Sequence, residues 1–227
     1  MILEQIRGQL IVSCQALDEE PLHGPTIMAA MARAAEEGGA RGIRANGGPD
    51  IAAIRRATSL PIIGLKKVVH PGYEVYLTPT FEAAAEVAEA GADMIAIDAT
   101  RQTRPGPHAL AELICKIRTE LRRPVLADCA TVEEAIAAAA AGADAVATTM
   151  AGYTRDSCEI QTFSPALVKA FVQAVKVPVI AEGHIWTPEE AAAALAAGAH
   201  AVVVGTAITR PQEITRRYTR AIQGRQP

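Results

Sequence analysis

The sequence has few cysteines and no clear excess of either charge. The four cysteines, Cys14, Cys115, Cys129 and Cys158, include no Cys-x-x-Cys pair, so we expect neither a disulfide framework nor a zinc site. The 22 basic and 25 acidic residues give a formal charge of −3 and are dispersed along the chain. This distribution argues against a nucleic-acid partner.

Long apolar runs are also lacking. No run reaches the roughly 18 to 20 residues that cross a bilayer. Residues 1–10 contain Glu4 and Arg7, where a signal peptide would be apolar. We therefore expect no membrane partner and a cytoplasmic location.

Signatures of metal and nucleophile chemistry are missing as well. The five histidines show no His-x-His or His-x-x-His spacing, and neither Gly-x-Ser-x-Gly nor an early Gly-x-Gly-x-x-Gly is present. Asp98 with Asp128 could hold Mg²⁺ weakly, and Cys14 could be a nucleophile, but a cysteine in an apolar run is usually inert. We expect neither a metal nor a cofactor.

The sequence does contain an internal repeat, in which a Gly-Ala pair ends an Ala- and Glu-rich stretch and begins a short apolar run. The copies start at Gly39, Gly91, Gly142 and Gly198. Glycine commonly ends a helix in the left-handed conformation, so each copy predicts a helix followed by a strand. Three further predicted strands follow Pro61, Pro124 and Pro178. The run at residues 10–14 adds the eighth strand.

Helix starts support the same count. Thr131 and Thr187 begin capping boxes, and the pairs Ser164-Pro165 and Thr78-Pro79 combine a cap with a following proline. The strands are apolar without alternation, as in a parallel sheet covered on both faces. Eight strands alternating with helices predict a (β/α)8 TIM barrel, an α/β fold, as a single domain over residues 1–227. The alternative, a doubly wound open sheet, rarely repeats so evenly.

Polar residues stand where the predicted strands end. They are Ser13, Gln15, Arg44, Lys66, Lys67, Asp98, Asp128, Thr148, Thr149 and Glu182, with Gly205 after the last strand. Burying charged groups costs free energy unless they pair or bind a ligand, and barrel enzymes build their sites at this end of the strands. The set therefore predicts a ligand site.

Two kinds of chemistry fit this site. Gly183 and Gly205 follow strands seven and eight, with Arg210 just beyond, where barrels commonly hold a phosphate group. A lysine can act as a base near neutrality only if burial or neighbouring cations lower its pKa. Successive strand residues face opposite sides, so only one of Lys66 and Lys67 can face the site.

Six segments carry a family likeness. Residues 11–17, 61–64, 76–80, 97–100, 152–154 and 207–212 resemble, in order and at family spacing, the N-acetylmannosamine-6-phosphate 2-epimerases of bacterial sialic acid catabolism. The resemblance runs from the first strand to the last helix. It implies a cofactor-independent epimerisation at C2 that interconverts N-acetylmannosamine 6-phosphate and N-acetylglucosamine 6-phosphate, carried out by a homodimer.

The resemblance also implies roles for individual residues. The catalytic residues would be Lys67 and Glu182. From the chemistry we expect Glu182, helped by Asp128 or by solvent, to move the proton that opens the sugar ring, and Lys67 to remove the C2 proton. Either Lys67 serves both faces of C2 or a second acid such as Glu182 serves one of them. The substrate-binding residues would be Gln15, Arg44 and Asp128, to which we add Thr149 at a strand end and Tyr153 in a family motif. The phosphate-binding residues would be Gly183, Gly205 and Arg210.

The chain departs from the family pattern at His184, where the family has arginine, and at Thr206, where it has glycine. Two other functions stay open. One is a barrel lyase or aldolase in which Lys67 forms a Schiff base with a sugar phosphate. The other is a noncatalytic sugar-phosphate sensor or partner subunit.

Overall fold

The computed structural model describes residues 1–224 and contains eight parallel strands closed into a barrel, each paired with the next along the chain and the last with the first. The strands are β1 (Leu10–Cys14), β2 (Gly42–Asn46), β3 (Ile62–Leu65), β4 (Met94–Asp98), β5 (Val125–Asp128), β6 (Ala145–Ala147), β7 (Val179–Ala181) and β8 (Ala201–Val204). The predicted (β/α)8 barrel is confirmed, and its closure excludes the open sheet. Residues 225–227 of the predicted domain lie outside the described residues.

Helices alternate with the strands. They are α1 (Ile2–Ile6), α2 (Pro25–Glu37), α3 (Gly48–Ala57), α4 (Phe81–Glu89), α5 (Leu110–Lys116), α6 (Val132–Ala140), α7 (Pro165–Ala174), α8 (Pro188–Ala196), α9 (Thr206–Thr209) and α10 (Pro211–Ile222). A π-helical turn, Ile117–Leu121, extends α5, and a 3-10 turn, Arg155–Ser157, lies between β6 and α7. No helix of the described residues is long and apolar enough to cross a membrane.

The predicted helix caps are confirmed with one exception. Thr131 and Thr187 form complete capping boxes, and the Ser164 hydroxyl accepts from the Leu167 N–H. The prediction that Thr78 caps a helix is wrong, because α4 starts two residues later and is capped by Thr80. Thr78 is instead fully buried and bonds back to the backbone of Lys66.

The repeated glycines have the backbone conformation that their position requires. Gly39, Gly91, Gly142 and Gly198 all have φ near +100°, with values of 97°, 105°, 97° and 100°. A residue with a Cβ is strained there. These glycines therefore turn the chain from each helix end into the next strand.

The core has two layers, separated by the barrel wall. Side chains such as Ile11, Ile63, Met94, Leu126 and Ile180 fill the barrel interior, while their strand neighbours pack against the helices. Because side chains alternate along a strand, continuing the inward positions toward the carboxyl ends identifies the residues at the barrel mouth. These are Gln15, Arg44, Lys67, Asp98, Asp128, Thr149, Glu182 and Gly205.

The other end of the barrel is covered. Helix α1 places Ile2 and Ile6 in the inner core, and the Gly8 N–H donates to the His200 carbonyl. The His200 ring lies 2.7 Å from the Leu3 carbonyl. With this end packed, the carboxyl ends of the strands are the side at which a cavity opens.

Candidate active site

A cavity of about 380 Å³ opens at the carboxyl ends of the strands. Nine of the ten predicted site residues line it, namely Gln15, Arg44, Lys67, Thr149, Tyr153, Glu182, Gly183, Gly205 and Arg210. The tenth, Asp128, does not line the cavity and is completely buried. The volume is that of a small-molecule site.

Arg44 is the charged centre of the site. Its guanidinium, only 1% exposed, donates to both oxygens of Asp128 at 3.0 and 2.7 Å and lies 2.8 Å from a Glu182 oxygen. Burial opposes the charge of Arg44, but Asp128 and Glu182 outweigh it and raise its pKa. A buried cation shared by two carboxylates fixes the positions of both.

Threonines complete this network. The Thr149 hydroxyl donates to Asp128 and lies 3.3 Å from Glu182 Oε2. The Thr148 hydroxyl bonds to both the N–H and the carbonyl of Glu182, at 3.0 and 2.8 Å. Thr148 therefore fixes the backbone of Glu182, and Thr149 contacts its carboxyl group.

Glu182 is poised to exchange a proton. Burial, with a further contribution from Asp128, raises its pKa to about 7, although Arg44 acts in the opposite direction. Its side chain is 14% exposed and lines the cavity. A carboxyl group with a pKa near neutrality can both accept and donate protons at physiological pH.

Lys67 is the only lysine of residues 1–224 that lines the cavity. Its N–H donates to the Asn46 side chain at 2.8 Å, and its backbone pairs with Leu77 in an antiparallel bridge. Burial and then the nearby Arg44 charge lower the pKa of Lys67, because both penalise the ammonium form. Lys66 points away from the cavity and forms an ion pair with Glu86 of α4.

Two buried polar atoms of cavity-lining residues have no hydrogen-bond partner in the described part of the chain. They are Gln15 Oε1, an acceptor, and Arg44 Nε, a donor. Buried polar groups are rarely left unpaired. Both atoms are closed off from solvent, so the side chains around them would have to shift before a ligand in the cavity could pair with either.

The predicted phosphate side of the cavity is already occupied by a charge pair. Arg210 donates through Nε and Nη2 to the two oxygens of Glu20, at 2.9 and 2.7 Å. Gly183 and His184, which also line the cavity, both have positive φ, 104° and 58°. The His184 ring stacks on Tyr153 with 5.3 Å between ring centres.

Sequence reasoning missed Glu20 and Tyr76, which also line the cavity. Tyr76 lies at the cavity because its segment folds back toward β3. The Val68 N–H donates to the Tyr76 carbonyl at 2.8 Å. Burial, Asp98 and Asp128 raise the pKa of its phenol. Neither residue lies at a strand end, so periodicity carries no signal for them.

The structure bears on two alternatives raised by the sequence, a magnesium site at Asp98 and Asp128 and a nucleophilic Cys14. Asp98 accepts from the N–H and hydroxyl of Thr100, while Asp128 is held by Arg44. Within residues 1–224, no three His, Cys, Asp or Glu side chains cluster as a metal site. Burial raises the pKa of Cys14 to about 12, so its thiol is a poor nucleophile.

Comparisons with known proteins agree on one family. A family model described as "Putative N-acetylmannosamine-6-phosphate epimerase" matches residues 28–224. A protein of Caldanaerobacter subterraneus subsp. tengcongensis described as "Putative N-acetylmannosamine-6-phosphate 2-epimerase" is 52% identical, covering 99% of this chain and 95% of the relative. One of Shouchella clausii with the same description is 50% identical, covering 98% and 99%. The solved N-acetylmannosamine-6-phosphate 2-epimerase from Clostridium perfringens matches with a TM-score of 0.94 and 46% identity, covering 96% of this chain and 95% of that one.

Proposed function

The chain belongs to the N-acetylmannosamine-6-phosphate epimerase family, and we propose that Lys67 and Glu182 move the protons of its reaction. The protein is an isomerase that interconverts N-acetylmannosamine 6-phosphate and its C2 epimer, N-acetylglucosamine 6-phosphate. One observation carries the assignment of residues. A lysine of lowered pKa and a carboxyl group of raised pKa line the same cavity as Arg44.

Ring opening comes first, because the C2 hydrogen becomes acidic only when C1 is an aldehyde. The Glu182 carboxylate accepts the proton of the anomeric hydroxyl, and solvent returns a proton to the ring oxygen. Asp128 cannot touch the sugar from its buried position. It acts instead by holding Arg44 and Thr149, which in turn contact Glu182.

Proton transfer at C2 follows. The neutral amine of Lys67 removes the proton, and negative charge develops on the oxygen at C1. Fixed donors stabilise such charge best when they are already in place in a site with little water. The guanidinium of Arg44, held by Asp128 at the wall of the cavity, is the fixed positive charge that we assign to stabilise this oxygen. A proton returned to the opposite face of C2, either by the Lys67 ammonium group after the intermediate rotates or by the protonated Glu182 carboxyl group, completes the epimerisation.

Proton NMR of N-acetylmannosamine 6-phosphate with the pure protein in deuterated buffer, without added metal, tests this proposal. We expect the C2 proton signal to disappear as the gluco isomer forms. Folded protein that neither exchanges the C2 proton nor forms the gluco isomer would contradict it. Binding without exchange would indicate a sensor. A lysine adduct trapped by borohydride in the presence of substrate would indicate the Schiff-base lyase.

Glu182→Gln is expected to lower kcat by about 10²-fold, the lower end of the range for general acid–base catalysis. The amide cannot accept the anomeric proton.

The pH profile of Glu182→Gln should change too. In the parent protein kcat should fall as the pH drops below about 7, because Glu182 becomes protonated and can no longer accept the anomeric proton. In Glu182→Gln this group is absent, so the fall of log kcat below about pH 7 should become less steep. An unchanged slope and rate would assign ring opening to another group.

We also propose that the protein is a cytoplasmic homodimer. Helix α10 supports the dimer, because none of its residues is buried and Ile214, Tyr218 and Ile222 recur every four residues along one face. Tyr218 and Ile222 are 68% and 84% exposed, and apolar faces of this kind are often covered by a partner. Sedimentation equilibrium should give twice the chain mass of 23.8 kDa. A monomer at micromolar concentration would contradict the dimer.

A further inference from the structure

Glu20 makes three hydrogen bonds on the phosphate side of the cavity. Its two carboxylate oxygens accept from Arg210 Nε and Nη2 at 2.9 and 2.7 Å, and Oε2 also accepts from the Gln212 side chain at 2.8 Å. Glu20 lies in the segment between β1 and α2, whereas Arg210 lies between α9 and α10. The contact therefore joins two parts of the chain that are 190 residues apart.

The pair differs from an ordinary surface ion pair. The Glu20 side chain is only 10% exposed and the Arg210 side chain 34%. Exposed single pairs contribute little because solvent screens them and two long side chains lose freedom. A two-point contact between guanidinium and carboxylate fixes the plane of the arginine as well as its position.

The contact uses only one edge of the guanidinium. Nε and Nη2 are engaged by Glu20, whereas Nη1 makes no hydrogen bond to any residue in 1–224. Arg210 and Glu20 both line the cavity. The arginine can thus keep its carboxylate partner and still offer one edge to an anion in the cavity.

We infer that Glu20 is a positioning residue, which holds Arg210 in the orientation that binds the phosphate group of the substrate. This inference rests on the proposed function, and within it on the phosphate-binding role that the family resemblance implies for Arg210. Ordering a long side chain when a ligand binds costs free energy. Glu20 removes that cost by ordering Arg210 beforehand. Its negative charge also repels the phosphate, so the proposal requires the gain from ordering to exceed the repulsion.

The Glu20→Gln variant separates these two effects. Its amide group turns a donor toward a guanidinium that has only donors, so one of the two contacts with Arg210 is lost. We expect the KM for N-acetylmannosamine 6-phosphate and the inhibition constant of inorganic phosphate to rise together by about tenfold, the scale of one charge-assisted hydrogen bond. We expect kcat to stay within about twofold, since Arg210 is not assigned a proton-transfer step.

The neighbouring glutamate provides the matched control. Glu19 is exposed and makes no ion pair or hydrogen bond through its side chain within the described residues, so Glu19→Gln removes the same charge without touching Arg210. Both constants should match those of the parent protein. Glu20→Asp, which keeps the charge, should recover part of the loss. Gln212→Ala, which removes only the third contact, should raise both constants less than Glu20→Gln does.

A double-mutant cycle tests whether Glu20 acts through Arg210. In an Arg210→Met background, Glu20→Gln should raise neither constant further, because residues that act as a unit are not additive. Three results would overturn the inference: a fall in the constants of Glu20→Gln, which would make Glu20 a competitor of phosphate; additive losses; or a loss confined to kcat.

Titration of the parent protein with inorganic phosphate, followed by phosphorus NMR, distinguishes a failure of the proposed function from a failure of the role of Glu20. If the parent neither binds phosphate nor turns over the sugar phosphate, the proposed function fails. If the parent does both and Glu20→Gln behaves like it, only the role of Glu20 fails. Circular dichroism of each variant establishes that it is folded before the constants are compared.

Discussion

Replacing Lys67 with alanine should lower kcat by about 10⁴-fold, the upper end of the range for a general base. The loss is expected to be this large because no other lysine of the described residues lines the cavity and could take over. Lys67 is also the group whose pKa is lowered by burial and by Arg44. A base supplied by solvent would be neither buried nor held beside Arg44.

Lys66 is a matched control at the adjacent position. It is half-buried, as Lys67 is, but it faces α4 and pairs with Glu86. Lys66→Ala should therefore keep kcat within about twofold, since it removes an ion pair of the kind that contributes at most about 1 kcal/mol to stability. The two variants are compared by the NMR assay, with binding of inorganic phosphate as the measure of an intact site. Lys67→Ala that retains a tenth of the parent rate would remove this lysine from the mechanism.

The choice between these two lysines shows how much of the site could be predicted from the sequence. Alternation along a strand predicted that only one of them faces the site, and the family resemblance pointed to Lys67. The structure gives the physical reason. Ile63 and Leu65 of β3 belong to the inner core, and Lys67, two residues past the end of β3, is the next side chain to point inward. The barrel itself was predictable for a related reason. Helix ends, turns and apolar strands repeat locally, and closure follows from their number.

The contacts between distant segments were not predictable in the same way. Asp128 stands at a strand end, as a site residue should, yet its side chain lies behind Arg44 and does not reach the cavity. Glu20 lies in an irregular segment, yet it lines the cavity and pairs there with Arg210. Both outcomes depend on the pairing of long side chains across the barrel mouth. No local sequence pattern encodes that pairing.

Arg44→Met should lower the free energy of unfolding by about 3–5 kcal/mol, the effect of removing one partner from a buried ion pair. Asp128 is completely buried and Glu182 is 14% exposed, so the variant leaves two carboxylates close together without their cation. At about 2–4 °C per kcal/mol for a chain of this size, Tm should fall by about 6–20 °C in a calorimetric scan at pH 7. Arg56→Met, which removes an exposed arginine of α3, should leave Tm within about 2 °C, as surface substitutions usually do.

The pH dependence of the stability of Arg44→Met shows whether the variant is destabilised by unbalanced charge or by lost packing. Burial already raises the pKa of Glu182 in the folded parent protein, and Arg44 acts in the opposite direction, so loss of Arg44 raises this pKa further above its value in the unfolded chain. The folded variant then binds more protons than the unfolded one, so its stability falls as the pH rises. The deficit relative to the parent protein should therefore be smaller at pH 5 than at pH 8. Adding Asp128→Asn should recover part of the deficit at pH 8, because it removes one of the two unpaired charges. A deficit that stays constant between these pH values, and that Asp128→Asn does not reduce, would mean that Arg44 stabilises the barrel by filling space and not by balancing the two carboxylates.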